Sequence, residues 1–302
     1  MTSQIQPNSM QAWLAFTRPK TWGVAIAPVI AALSLAFYET NTFYDVTAFF
    51  TLTIALLMQI VSNMKNDLGY TEKKAETGNR KGLPRATSMG WISVQTARKA
   101  IQITIILALI NTLILVYFGG WGFAVIGIFS VIAAYAYMGG PRPIAYTPFG
   151  EITVLIFFGL TAVCGTYCLQ THTLSLNAIL LSLALGAIAS SVLCVNNWRD
   201  REHDKSVGRR TLAVVLGDKT FFRIFQGLIF APLGLALCMA LFGHLWPAVT
   251  VLLSLPIALP LPQQLKSLKH EALNKTMFAC VKYELIYAFL FSSGILISFF
   301  TK

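Results

Sequence analysis

The stretch AFFTLTIALLMQIVSNMKNDLGY, Ala48 to Tyr70, passes from a long apolar run into a polar segment with no Gly or Pro until Gly69. A run of about 20 mostly apolar residues is what a membrane-crossing helix requires. If the helix continues past the apolar part, Asn63 and Asp67, four residues apart, share one face. A second stretch repeats the arrangement: VNNWRDREHD, Val195 to Asp204, follows another apolar run and places Asn196, Asp200 and Asp204 at intervals of four. The first stretch has Thr71 where the second has its last acid.

Composition agrees with a membrane reading. The 302 residues are 56% hydrophobic and 12% charged, with mean hydropathy +0.65, against roughly 25% charged residues in a soluble domain. A net charge of +11 fits cytoplasmic loops rich in Lys and Arg better than nucleic-acid binding, because no basic patch is interleaved with aromatics. Cys164, Cys168, Cys194, Cys238 and Cys280 have no C-x-x-C partner and read as small apolar residues. The N-terminal residues lack the pattern of a cleaved signal peptide.

Nine apolar segments are expected to cross the membrane, at approximately 21–38, 46–65, 100–118, 121–138, 150–168, 176–195, 221–241, 245–262 and 283–300. The eighth is interrupted by Pro247, Pro256, Pro260 and Pro262. Gly119 and Gly120 make the third and fourth a tight helical hairpin. With nine spans, every Lys and Arg except Lys302 falls on one face, which the positive-inside rule makes cytoplasmic. The N-terminus is then cytoplasmic and the C-terminus lies opposite. Both Asn/Asp stretches fall on the cytoplasmic face, four spans apart, hinting at a diverged parallel duplication.

Carboxylate and amide oxygens gathered from two such faces are hard ligands suited to Mg²⁺, which is held by one or two carboxylates together with substrate phosphates. The neighbouring Arg and Lys supply the cations a diphosphate needs.

These segments resemble the UbiA superfamily of intramembrane prenyltransferases. The resemblance covers almost the whole chain and is similar in particular to the branch acting on 1,4-dihydroxy-2-naphthoate in menaquinone biosynthesis. It is carried by TRPKT (Thr17–Thr21), SNMKNDLG (Ser62–Gly69), RKGLPR (Arg80–Arg85), YMGGPRPIAYTPFGE (Tyr137–Glu151) and NNWRDREHDKSVGRRTLAVVLG (Asn196–Gly217). It implies a single all-α transmembrane prenyltransferase domain, residues 1–302, with about nine helices around a central cavity in a bacterial inner membrane. It also implies Mg²⁺-dependent transfer of a polyprenyl group from polyprenyl diphosphate to the naphthoate, releasing CO₂ and diphosphate. The alternatives are another aromatic acceptor, or a non-catalytic membrane protein that binds prenyl diphosphates.

By the same resemblance, Asp67, Asp200 and Asp204 are the catalytic acids, with Asn63, Asn196 and Glu76 as further metal ligands. Asn63, Asn66, Asn197, Arg80, Arg85, Tyr137, Arg142, Glu151 and Arg209 are expected at the substrates. The chain departs from the family in three places. Tyr70 stands where a further Asp is usual, Asn79 where an acid often precedes the Arg, and Arg209 where Lys is usual. A neutral phenol is a poor Mg²⁺ ligand, so the second metal position is the one in question, with Glu72 and Glu76 as the nearby acids. His203, next to Asp204, is expected to face away from the site as a surface residue. Tyr135 and Tyr146 are expected in ordinary packing or the interfacial aromatic belt.

Overall fold

The computed structural model describes residues 5–76 and 81–301, and among these every regular element is helical. The elements are α1 (Met10–Thr17), α2 (Gly23–Thr40), α3 (Asp45–Glu72), α4 (Val94–Gly119) and α5 (Gly122–Ala136). They continue with α6 (Gly150–Thr171), α7 (Leu176–Arg199), α8 (Arg201–Ser206), α9 (Asp218–Ala240), α10 (Leu245–Ser267) and α11 (Leu273–Phe300).

Among the described residues, eight helices are long and apolar enough to cross a membrane. All nine expected segments are helical; the difference lies in α5, which has 15 residues. Its hairpin with α4 turns on Gly120, whose φ of 83° is open to glycine. Its other end stops before a turn at Gly140, φ 75°, followed by Pro141 and Pro143. α10 is broken where the prolines predicted: Leu245–Val251 is α-helical, Leu252–Ser254 is 3₁₀, and helix resumes to Ser267. Membrane helices tolerate such breaks when neighbours cover the freed groups.

The bundle is centred on α7, which packs against α6, α9, α11 and α2. Close approach, not only apolarity, fixes its contact with α6. A Cβ on Gly159 would lie 2.4 Å from the Ser182 carbonyl oxygen and 2.8 Å from the Cα of Gly186, the small-residue contact by which membrane helices associate. The middle of α6, Leu155–Cys164, is π-helical there. From α11, the phenols of Tyr283 and Tyr287 donate to the Ile229 and Pro232 carbonyls of α9 at 3.0 and 2.8 Å. At the end of the bundle away from the Asn/Asp stretches, Glu39 joins four elements. It accepts from Tyr167 and from Asn177 Nδ2 at 2.9 Å, and lies 3.2 Å from His244 Nε2.

Candidate active site

The site begins at the junction of α1 and α2. Arg18 there adopts the left-handed conformation, φ 55°, which non-glycine residues enter only when their surroundings impose it. α3 does so: Asn63 Nδ2 donates to the Thr17 carbonyl at 2.9 Å and to Thr21 Oγ1 at 3.1 Å. Gln59 Nε2 donates to the Thr21 carbonyl at 3.2 Å. With the junction held from both sides, Arg18 Nη2 comes 4.0 Å from Asp67 Oδ2. Arg18, Thr21 and Gln59 are site residues that the motif reading passed over. TRPKT was the available signal, too short to weigh until its contact with Asn63 was known.

Asp67 is fully buried. Its Oδ2 accepts from the Ala86 amide at 2.9 Å, and its Oδ1 from the Thr87 amide at 2.9 Å and Thr87 Oγ1 at 2.8 Å. The carboxylate therefore anchors the segment after residue 80 onto α3, satisfying two buried amides. This anchoring delivers Arg85, buried, with its guanidinium carbon 4.2 Å from the Tyr70 ring centroid.

The second stretch does not form one continuous helical face. α7 ends at Arg199, Asp200 is the joint (φ −95°, ψ 6°), and α8 starts at Arg201. Asn196 faces the cavity, whereas Asp200 is gripped by its own neighbour: Arg199 Nε to Oδ1 at 2.9 Å and Nη2 to Oδ2 at 2.7 Å. Such a two-point pairing is the strong form of the ion pair. Asp204, fully buried on α8, accepts from Arg209 Nη1 at 2.8 Å. The same Nη1 donates to the Tyr70 hydroxyl, and Arg209 Nε donates to the Ala145 carbonyl at 3.0 Å. Arg209 thus joins the two stretches. Burial works against its charge, but the Tyr70 oxygen and the Asp204 carboxylate outweigh it and raise its pKa above the ordinary arginine value. Burial raises the Tyr146 pKa above the ordinary phenol value, against the opposing pull of Arg209.

His203 does not lie at the surface as expected. It is buried, and its Nε2 is 2.8 Å from the Ala75 carbonyl. α8 packs its far face onto the turn after α3, a contact one-dimensional spacing does not reveal. Glu72 is engaged away from any shared acidic site, 3.1 Å from Lys65 Nζ and 2.9 Å from Arg98 Nη2. Glu76 is half-buried in the turn beyond α3. Arg142 is exposed on the loop after α5. Arg80 lies outside the described residues. Glu151, at the start of α6, accepts from Asn197 Nδ2 at 2.9 Å, while its Oε2 has no hydrogen-bond partner among the described residues.

These elements surround a cavity of about 260 Å³. Its polar end is lined by Arg18, Thr21, Asn63, Asn66, Asn196 and Tyr137, and its interior by apolar residues such as Val29, Leu115 and Phe157. On α3 the lining runs from Thr51 to Asn66, about 22 Å at the helical rise of 1.5 Å per residue. Asn63, Asn66 and Asn196 face this cavity, whereas Asn197 turns to Glu151 and the aspartates are turned into the protein.

In donor chemistry the site fits Mg²⁺: carboxylate and amide oxygens from two helices, with cations beside them. Among the described residues no three His, Cys, Asp or Glu side chains already converge on one point. Asp200 and Asp204 are held by guanidinium groups, so an ion would take them in exchange for, or in addition to, those partners.

The model of the UbiA prenyltransferase family matches residues 25–291. The chain is 34% identical to the 1,4-dihydroxy-2-naphthoate octaprenyltransferase of Escherichia coli, over 99% of both chains. It is 27% identical to the enzyme of the same name from Bacillus subtilis, over 98% of this chain and 96% of that one. Among solved structures, a UbiA homolog from Archaeoglobus fulgidus bound to DMAPP and Mg²⁺ superposes with a TM-score of 0.63 at 17% identity, covering 93% of this chain and 99% of that one. The chain belongs to the UbiA prenyltransferase family.

Proposed function

Since the chain is an integral membrane enzyme of the UbiA family, an aromatic prenyltransferase, we propose that it transfers a polyprenyl group from polyprenyl diphosphate to 1,4-dihydroxy-2-naphthoate. The products are a prenylated naphthoquinol, CO₂ and diphosphate. The observation that carries this reading is the shape of the cavity. A long apolar interior suited to a prenyl chain ends at a polar rim shared by both Asn/Asp stretches. The identity of the acceptor rests on the relatives' names.

In this reading the prenyl chain lies along α3 and its diphosphate reaches Asn63, Asn66 and Asn196, with Arg18, Arg85 and Arg209 drawing its charge. Asp67, Asp200 and Asp204 would hold Mg²⁺, which, when bound, neutralises oxygens on which charge accumulates as the carbon–oxygen bond breaks. The electron pair of that bond leaves with diphosphate. The aromatic ring supplies the pair that forms the new carbon–carbon bond. The pair of the carbon–carboxylate bond returns to the ring as CO₂ departs. The apolar walls keep water from the allylic cation. Tyr137 and the Glu151–Asn197 pair, beside the rim, would orient the acceptor.

The test is a product assay on the purified protein with polyprenyl diphosphates of several lengths and a panel of aromatic acids, with Mg²⁺ or EDTA. Prenylated naphthoquinol formed only with Mg²⁺, and lost in Asp204→Ala, is expected. No product from the naphthoate under conditions where the E. coli relative makes it would refute the assignment.

A further inference from the structure

Position 70 follows Asp67 by three residues on the same helix and carries a phenol, not an acid. Tyr70 is buried between two guanidinium groups: Arg85 lies over its ring and Arg209 donates to its hydroxyl while also holding Asp204. Two of the three positions at which the chain departs from the resemblance, 70 and 209, are therefore in contact. One departure explains the other. A phenol oxygen accepts a hydrogen bond from a guanidinium but does not hold a hard divalent ion well, and only Arg, with its forked donors, reaches Tyr70, Asp204 and the Ala145 carbonyl together.

We infer that the Tyr70–Arg209 pair takes the place of a second metal ion, so that this enzyme binds its diphosphate with one divalent cation and a fixed guanidinium. The inference rests on the prenyl-diphosphate reading above.

An acid at position 70 in place of Tyr, with a more compact Lys at 209, would supply both a carboxylate ligand and the space for a second ion.

The experiment counts ions, not turnover. The full chain in detergent is titrated with Mn²⁺ in the presence of farnesyl thiodiphosphate, an unreactive analogue, and bound ion is followed by electron paramagnetic resonance. One Mn²⁺ per chain is expected for the natural protein, and two for the Tyr70→Asp/Arg209→Lys double variant. Two ions in the natural protein, or one in a double variant that keeps its thermal midpoint, would overturn the inference. A third measurement decides if the double variant does not fold. Tyr70→Phe should weaken metal-free binding of inorganic diphosphate about fivefold, the worth of one hydrogen bond, and unchanged affinity would overturn the pairing. Failure to make product with a count of one ion would refute the proposed reaction and leave the substitution of cation for metal standing.

Discussion

Asp67→Asn separates two roles that one carboxylate carries. As an acid it is expected at the metal; in the structure it also anchors the segment after residue 80 through the Ala86 amide, the Thr87 amide and the Thr87 hydroxyl. Asparagine keeps one oxygen. If that oxygen stays on the Thr87 side, the new NH₂ meets the Ala86 N–H, donor against donor. The bond lost is one to a charged acceptor, about 1.5–3 kcal/mol, and the two retained become neutral, each about 1 kcal/mol weaker. The sum is about 3–5 kcal/mol, enough to unlatch the segment without unfolding the bundle. Hydrogen exchange on the metal-free protein reads this directly. The Ala86 and Thr87 amides should lose at least about a hundredfold in protection, while amides of α7 keep theirs. If both amides stay as protected as in the natural protein, the anchoring argument is wrong, whatever happens to turnover.

Two further substitutions test the bundle. Gly159→Ala places a methyl 2.4 Å from the Ser182 carbonyl oxygen and 2.8 Å from Gly186 Cα. It should lower stability by about 1–3 kcal/mol through overpacking, seen as a lower thermal midpoint in detergent; an unchanged midpoint would mean the α6–α7 contact is softer than drawn. Glu284, on α11, is fully buried, and neither carboxylate oxygen has a hydrogen-bond partner among the described residues. Glu284→Met should remove a desolvation cost of about 1–3 kcal/mol and raise the midpoint, whereas a fall in midpoint would show that the carboxyl has a partner or task the fold does not display.

The membrane architecture was legible because it depends on quantities the sequence carries locally. Twenty-residue apolar windows and the prolines that interrupt α10 are each read within one segment. The two Asn/Asp stretches were legible for the same reason, with the first placed on a continuing helix. What was not legible depends on pairs distant in the chain. Arg18 enters the site because Asn63, 45 positions later, holds the Thr17 carbonyl. Asp67 is turned from the cavity because the Ala86 and Thr87 amides, not yet formed into a segment when α3 is read alone, are there to receive it. His203 was misplaced by helical-face reasoning because burial is decided by what packs on a helix, here the turn at Ala75. The break at Asp200 likewise gave Asp204 a face of its own.

These long-range contacts produce a division of labour within each stretch. Helical spacing of four assigned Asn and Asp to a common face, yet Asn63, Asn66 and Asn196 line the cavity and the aspartates pair inward with Arg199, Arg209 and the 86–87 amides. An aspartate facing an anionic substrate unaccompanied would repel it; an asparagine there offers hydrogen bonds without charge. The inward ion pairs are costly to desolvate and are retained only where geometry satisfies them, so their value lies in position. They hold the Arg199 and Arg209 guanidinium groups still, and on the proposed reading a cation that need not be ordered when a diphosphate binds contributes its attraction at less entropic cost. That logic predicts where the chain can afford to lose an acid: at a position such as 70, where the side chain's task is to hold a cation and a phenol performs it.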